Sequence, residues 1–216
     1  FPAPVLEWAR GMCRQPIETG MLLFNEHDPA DVKAFQWLRS TAYKFDLWRP
    51  VDQYGRIYVA KPIVGADIAA GTSGDTSSNS VLSIWDGQSG EQVGEIAINS
   101  MYPIDFARLA IATCWWLSYS GETFLIPETN GGAGRTFMEE ILRIGYPNLY
   151  DADVGGGELT RYSKKGNTPG YHTKKTSTTL EPLLAGLSHQ AITPRSAALV
   201  AEIGEYEINQ RSQWVH

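Results

Sequence analysis

An acid set into an apolar strand constrains this chain more than any other feature. The stretch Pro62 to Gln92 reads PIVGADIAAGTSGDTSSNSVLSIWDGQSGEQ. In strand register Ile63, Gly65 and Asp67 share one face while Val64, Ala66 and Ile68 share the other, so the carboxylate points where small neighbours leave room. An ionised carboxylate on an internal strand is costly unless a cation or a set of donors meets it. Asp67 is therefore a candidate metal ligand, or else an acid that caps the turn running from Gly71 to Gly74.

The strands around it follow from pattern. Val81 to Trp85 and Val93 to Ile98 are apolar or alternating runs joined by Asp86-Gly87-Gln88-Ser89-Gly90, which reads as a hairpin loop. Together with the Asp67 strand they predict a three-stranded antiparallel meander. Pro103 to Leu117 places Phe106, Leu109, Ala110, Thr113 and Trp116 at helical spacing, with Pro103 and Asp105 suited to a first turn. Thr123 to Glu128 then reads as a buried parallel strand with a second acid at its C-terminal end, where open α/β sheets place their sites. A helix from Arg135 to Ile144 follows, with Gly145 in its C-terminal cap and Pro147 beyond. The Gly-rich loop GGAGRT lacks the G-x-x-x-x-G-K-[ST] pattern, so it is not a phosphate loop.

The flanks have a different texture. In residues 1 to about 55, Asp28-Pro29-Ala30-Asp31 resembles a helix start, followed by Val32, Phe35, Leu38 and Tyr43 at roughly helical spacing. This part is expected to be a linker or docking segment preceding a core at 56–216, with Trp37, Phe45 and Trp48 as packing groups. Residues 151 to 178 read as a long loop or flap. Beyond it, Thr179 to Leu187 suggests a short helix, His189 to Ile192 a strand, Thr193-Pro194 the start of a helix through Glu202, and Glu205 to His216 a last strand.

Charge narrows the partners. A formal net charge of -6 argues against a surface that attracts nucleic acid everywhere, yet five basic residues (Arg161, Lys164, Lys165, Lys174 and Lys175) fall between Glu158 and Thr176 against one acid. That segment is a candidate contact for a phosphate backbone, or a solvated loop. Cys13 and Cys114 have neither zinc-site nor disulfide spacing and fit a reducing cytoplasm. No apolar run approaches the roughly 18 residues of a membrane helix, and the opening FPAPVLEW has none of the marks of a signal peptide, so a soluble protein is expected.

Three antiparallel strands, a helix, a parallel strand ending in an acid and another helix is the order of the RNase H-like α/β fold: a mixed sheet flanked by helices. Within it, GADIAAGTSGD, LIPETNGGAGRTFMEEIL, YPNLY and GYHTKKTSTT resemble the nuclease domain of the large terminase subunit of tailed bacteriophages, over roughly Tyr54 to Gln210. The resemblance implies a metal-dependent endonuclease that cuts concatemeric double-stranded viral DNA during genome packaging in the cytoplasm of the infected bacterium. It implies a pair of Mg²⁺ or Mn²⁺ ions, with Asp67 bridging both, Glu128 holding one, and Asp75 giving outer help or serving only its turn. It also implies DNA contacts from Arg135, Arg161, Lys164, Lys165, Lys174 and Lys175, and as partners an ATPase motor domain of the same polypeptide, a small terminase subunit and a portal protein. The chain departs from the family in lacking a third acid near its C-terminus and a Walker motif; an excised domain, cut short at its C-terminus, is expected to show both gaps. The alternatives are a non-catalytic DNA-binding or docking module with the same fold, and another RNase H-like nuclease such as a junction resolvase.

Overall fold

The computed structural model describes residues 1–41, 44–71, 78–129, 131–150, 177–208 and 214–215. Its centre is a seven-stranded sheet in the order β2-β1-β3-β6-β5-β4-β7. The predicted meander is there: β4 (Pro62–Asp67), β5 (Ser80–Asp86) and β6 (Glu91–Ile98) pair antiparallel in sequence. The strand β7 (Phe124–Pro127) adds parallel to β4, with Ala66 opposite Pro127. Parallel addition requires a crossover, and α2 (Pro103–Leu117) supplies it.

Residues 1–55, expected as a linker or docking segment, contribute the helix α1 (Ala3–Met12) and three strands, β1 (Glu18–Leu23), β2 (Gln36–Arg39) and β3 (Phe45–Leu47), which extend the sheet beyond β6. The helical reading from Asp28 onward is corrected. Asp28 and Asp31 turn the chain instead, their carboxylates accepting from the backbone N–H groups of Ala30 and Lys33 at 3.3 and 3.2 Å, and Gln36–Arg39 then pairs with β1. Short acids two residues ahead of an N–H favour such turns over helix, and β1 offered a strand edge that spacing along the sequence does not reveal.

Alternation sorts the two faces of the sheet. Along β4, Pro62, Val64 and Ala66 are buried while Gly65 is half-buried and Asp67 exposed. The buried face packs under α2 and α3 (Gly131–Ile144), where Leu82, Ile84, Ile96, Phe106, Ile111, Phe137 and Ile141 are essentially inaccessible to water. The helix α2 is buried nearly all round, as a helix clamped between a sheet and a neighbour should be. The helix α3 starts four residues earlier than the sequence predicts, through the glycines at 131 and 132.

The other face carries polar residues, and a smaller apolar cluster of Leu6, Ala9, Leu187, Val200 and Ile203 joins α1 to α4 (Ser177–Ser188) and α5 (Ala197–Gly204). His189 to Ile192 is a turn rather than the expected strand, with Gln190 at φ 55°. The helix α5 begins at Ala197, with Ser196 rather than Thr193-Pro194 capping it. At the C-terminal end, Glu207–Ile208 (β8) and Trp214–Val215 (β9) pair antiparallel. Among the described residues no helix is long and apolar enough to cross a membrane.

Candidate active site

Two adjacent parallel strands bring the sequence-predicted acids together. Asp67 is the last residue of β4, and the chain leaving β7 keeps alongside it, the Glu128 N–H donating to the Ala66 carbonyl at 2.8 Å. With Ala66 opposite Pro127, Asp67 and Glu128 are neighbours on one face, at the C-terminal ends of their strands. The Glu128 carboxyl lies within hydrogen-bonding reach of the Asp67 carboxyl, and its charge acts on it.

The electrostatics follow from that placement. Asp67 is pushed up to about 6: partial loss of water raises it first, then the hydrogen bond and repulsion from Glu128, then the charge of Glu202, while the Ile68 N–H works the other way. Tyr206 is also raised, by burial and then by the charges of Glu202, Glu128, Asp67 and Glu205. The strand end therefore collects negative charge.

Glycine sets the position of Glu128. A methyl group at Gly134 would lie 2.7 Å from the Thr129 carbonyl carbon and 3.0 Å from the Glu128 carbonyl oxygen. Only a residue without Cβ lets the first turn of α3 close onto the backbone that carries the second acid. The loop leaving β4 is held comparably: Gly71 has φ +71° and its α-carbon faces the Met101 carbonyl, where a side chain would collide.

Of the other sequence-predicted residues, Arg135 is exposed on α3, just past Glu128. Asp75, Arg161, Lys164, Lys165, Lys174 and Lys175 lie outside the described residues. Sequence reasoning missed Glu202 and Tyr206. The one signal for Glu202 was its position opposite Val200 and Ile203 on α5, which any solvated helix face would share.

Among the described residues no three His, Cys, Asp or Glu side chains form a group that could hold a metal ion. Two carboxylates do converge, and hard oxygen donors of this kind suit Mg²⁺ or Mn²⁺, ions that keep much of their water.

No family model matches this chain, and no curated protein matches it by sequence. Solved structures do. The large terminase nuclease domain of Thermus phage P74-26 covers 98% of this chain and 83% of its own at a TM-score of 0.52 and 13% identity. The large terminase nuclease of the thermophilic phage G20c, solved with bound magnesium, covers 97% of this chain and 85% of its own at a TM-score of 0.50 and 12% identity; its form with bound cobalt gives the same figures. With the acid pair at the ends of β4 and β7, this protein has the fold of the large terminase nuclease domains of phages.

Proposed function

We propose that this protein is a divalent-metal-dependent endonuclease acting on double-stranded DNA, the nuclease part of a phage packaging terminase. The contact between Asp67 and Glu128 at the C-terminal ends of two adjacent parallel strands carries the reading. Two carboxyls this close repel each other when ionised, and a dication held between them relieves that repulsion. Asp67 and Glu128 would hold the metal. When bound, a pair of such ions activates water and supports the leaving oxygen of a phosphodiester.

The chain's own part is positional. The parallel ladder sets the two carboxyls side by side, and Gly134 fixes the backbone behind Glu128. The basic segment Arg161 to Lys175, with Arg135, would lie along the phosphate backbone. In this reading the protein works in the cytoplasm of the infected host, joined to an ATPase motor and meeting a small terminase subunit and a portal.

The test is cleavage of plasmid DNA by the purified protein with millimolar Mn²⁺ or Mg²⁺. Cutting without sequence preference is expected, and Asp67→Asn and Glu128→Gln should each abolish it while leaving the circular dichroism unchanged. A folded Asp67→Asn variant that cuts at the parent rate would refute the reading. DNA binding with no metal-dependent cutting would instead favour a non-catalytic DNA-binding module.

A further inference from the structure

The connection between β3 and β4 is closed by a dense set of bonds, and what it presents to solvent is aromatic. The Asp52 N–H donates to the Arg56 carbonyl at 2.7 Å and the Gly55 N–H to the Asp52 carbonyl at 3.0 Å. The Asp52 carboxylate accepts from the N–H groups of Tyr54 and Arg56 at 2.8 and 2.9 Å. The buried Trp116 of α2 donates its indole N–H to the Gly55 carbonyl at 2.7 Å, and the Arg49 guanidinium donates to the Tyr58 carbonyl at 3.1 Å.

The side chains displayed on this frame give little to the core. Tyr54 is 75% exposed and Tyr58 80%, whereas Ile57 and Val59 are buried. Burial therefore alternates from Arg56 to Val59 and sets Arg56 and Tyr58 on one outward side. The Arg56 guanidinium lies over the ring of Tyr119, 4.6 Å from its centroid, which brings the chain just past α2 into the same surface. Among the described residues Arg56 forms no ion pair. A single exposed tyrosine is ordinary. Two of them on a bonded turn, beside an arginine stacked on a third, have the composition of the anchors in protein interfaces, and a frame already closed loses little freedom when something docks.

Charge selects the occupant. A phosphate backbone is held by several cations together, and this surface offers only Arg56 and, further along, the exposed Lys61, in a chain of net charge -6. One or two cations among three tyrosines suit a carboxylate flanked by apolar side chains better than a row of phosphates. The surface is also remote from the acid pair: β4 begins at Pro62 and ends at Asp67, about 17 Å away along the strand.

We propose that Tyr54, Arg56, Tyr58 and Tyr119 form a docking surface for an acidic polypeptide segment of a partner protein. The Arg56 guanidinium takes a carboxylate of that segment through two N–H groups, and the rings receive the apolar side chains beside it. This holds whether or not the acid pair cuts DNA.

The test is selection from a display library of short random peptides on the purified protein, followed by calorimetry with the selected peptides. Those enriched should carry Asp or Glu beside aromatic or aliphatic residues. Tyr54→Ala, Arg56→Ala and Tyr58→Ala should each weaken them about fivefold or more while melting close to the parent, because all three side chains are exposed. Arg56→Lys should recover only part of the loss, since an ammonium lacks the planar fork, and Arg56→Glu should turn the selection toward basic peptides. Selected peptides that bind a variant carrying all three alanines as tightly as the parent, or a selection that yields no binder, would overturn the proposal. Binding of a single-stranded thymidine oligonucleotide that the same substitutions abolish would overturn it in favour of a stacking platform for bases.

Discussion

Asp67→Asn should stabilise the metal-free protein above about pH 6 and do nothing for it near pH 4. The folded state holds the Asp67 proton more tightly than the unfolded chain does, since the carboxyl titrates at about 6 in the fold against about 4 in a free aspartate. More protons bound in the folded state means that stability falls as pH rises through that interval and is flat beyond it. Two pKa units correspond to about 3 kcal/mol. Because Asp67 is exposed at the end of β4, solvent screening reduces this to about 1 kcal/mol. Asparagine has no proton to lose, so it escapes the penalty while keeping the shape of the side chain. For a chain of this size the gain is about 2 to 4 °C in melting temperature. Thermal melts of both proteins in chelator, from pH 4 to pH 8, measure it directly. An Asn variant that is less stable at pH 8, or an offset that is the same at every pH, would refute the coupling of Asp67 to its acidic neighbours.

Glu140 should show the opposite dependence: its partners Arg143 and Arg108 hold it down to about 2 despite its burial, so it stabilises the fold above about pH 4.5 and that contribution fades as pH falls toward 2. Glu140 is buried but Arg143 is largely exposed, so Glu140→Gln should cost about 1 to 2 kcal/mol at pH 7, read from urea unfolding, with the difference shrinking in acid; a pH-independent loss would point to packing instead. Gly134→Ala should force α3 off the Glu128 backbone, lowering the melting temperature by several degrees and Mn²⁺ affinity by about tenfold, whereas a neutral helix-stabilising result would mean that the backbone yields without moving the acid. Replacing Lys164, Lys165, Lys174 and Lys175 together with alanine should flatten the log-log salt dependence of DNA affinity by about one unit for each phosphate that a lysine had neutralised; an unchanged slope returns the segment to a solvated loop.

The elements legible in the sequence were those whose information is local. The β4 to β6 meander announces itself by alternation and by the Asp86 to Gly90 loop, α2 by its Pro103 start and apolar spacing, and β7 by a short apolar run that stops at an acid. The strands β1, β2 and β3 were not legible, because their pairing is long-range: Phe45 pairs with both Gly20 and Ile96, and a three-residue strand has too few positions to show a period. The segment around Phe35 and Leu38 carries a weak helical spacing that the β1 edge overrides, since a strand beside an open ladder gains hydrogen bonds that a marginal helix of mixed residues does not match.

The same division explains the site. The positions of Asp67 and Glu128 were readable because each acid closes a short apolar strand, and the two strands pair side by side. The anchor of α5 has no such contrast: Gln92, Glu91 and Glu95, about a hundred residues earlier, accept the bonds that hold the start of that helix to the sheet, and they read in sequence as ordinary polar positions of a hairpin. Gln92→Leu removes the acceptor shared by Arg195 and Ser196, leaving two N–H groups without it, so it should lower the melting temperature by several degrees. A parent-like melting temperature would mean that the bonds to Glu91 and Glu95 hold the helix without it.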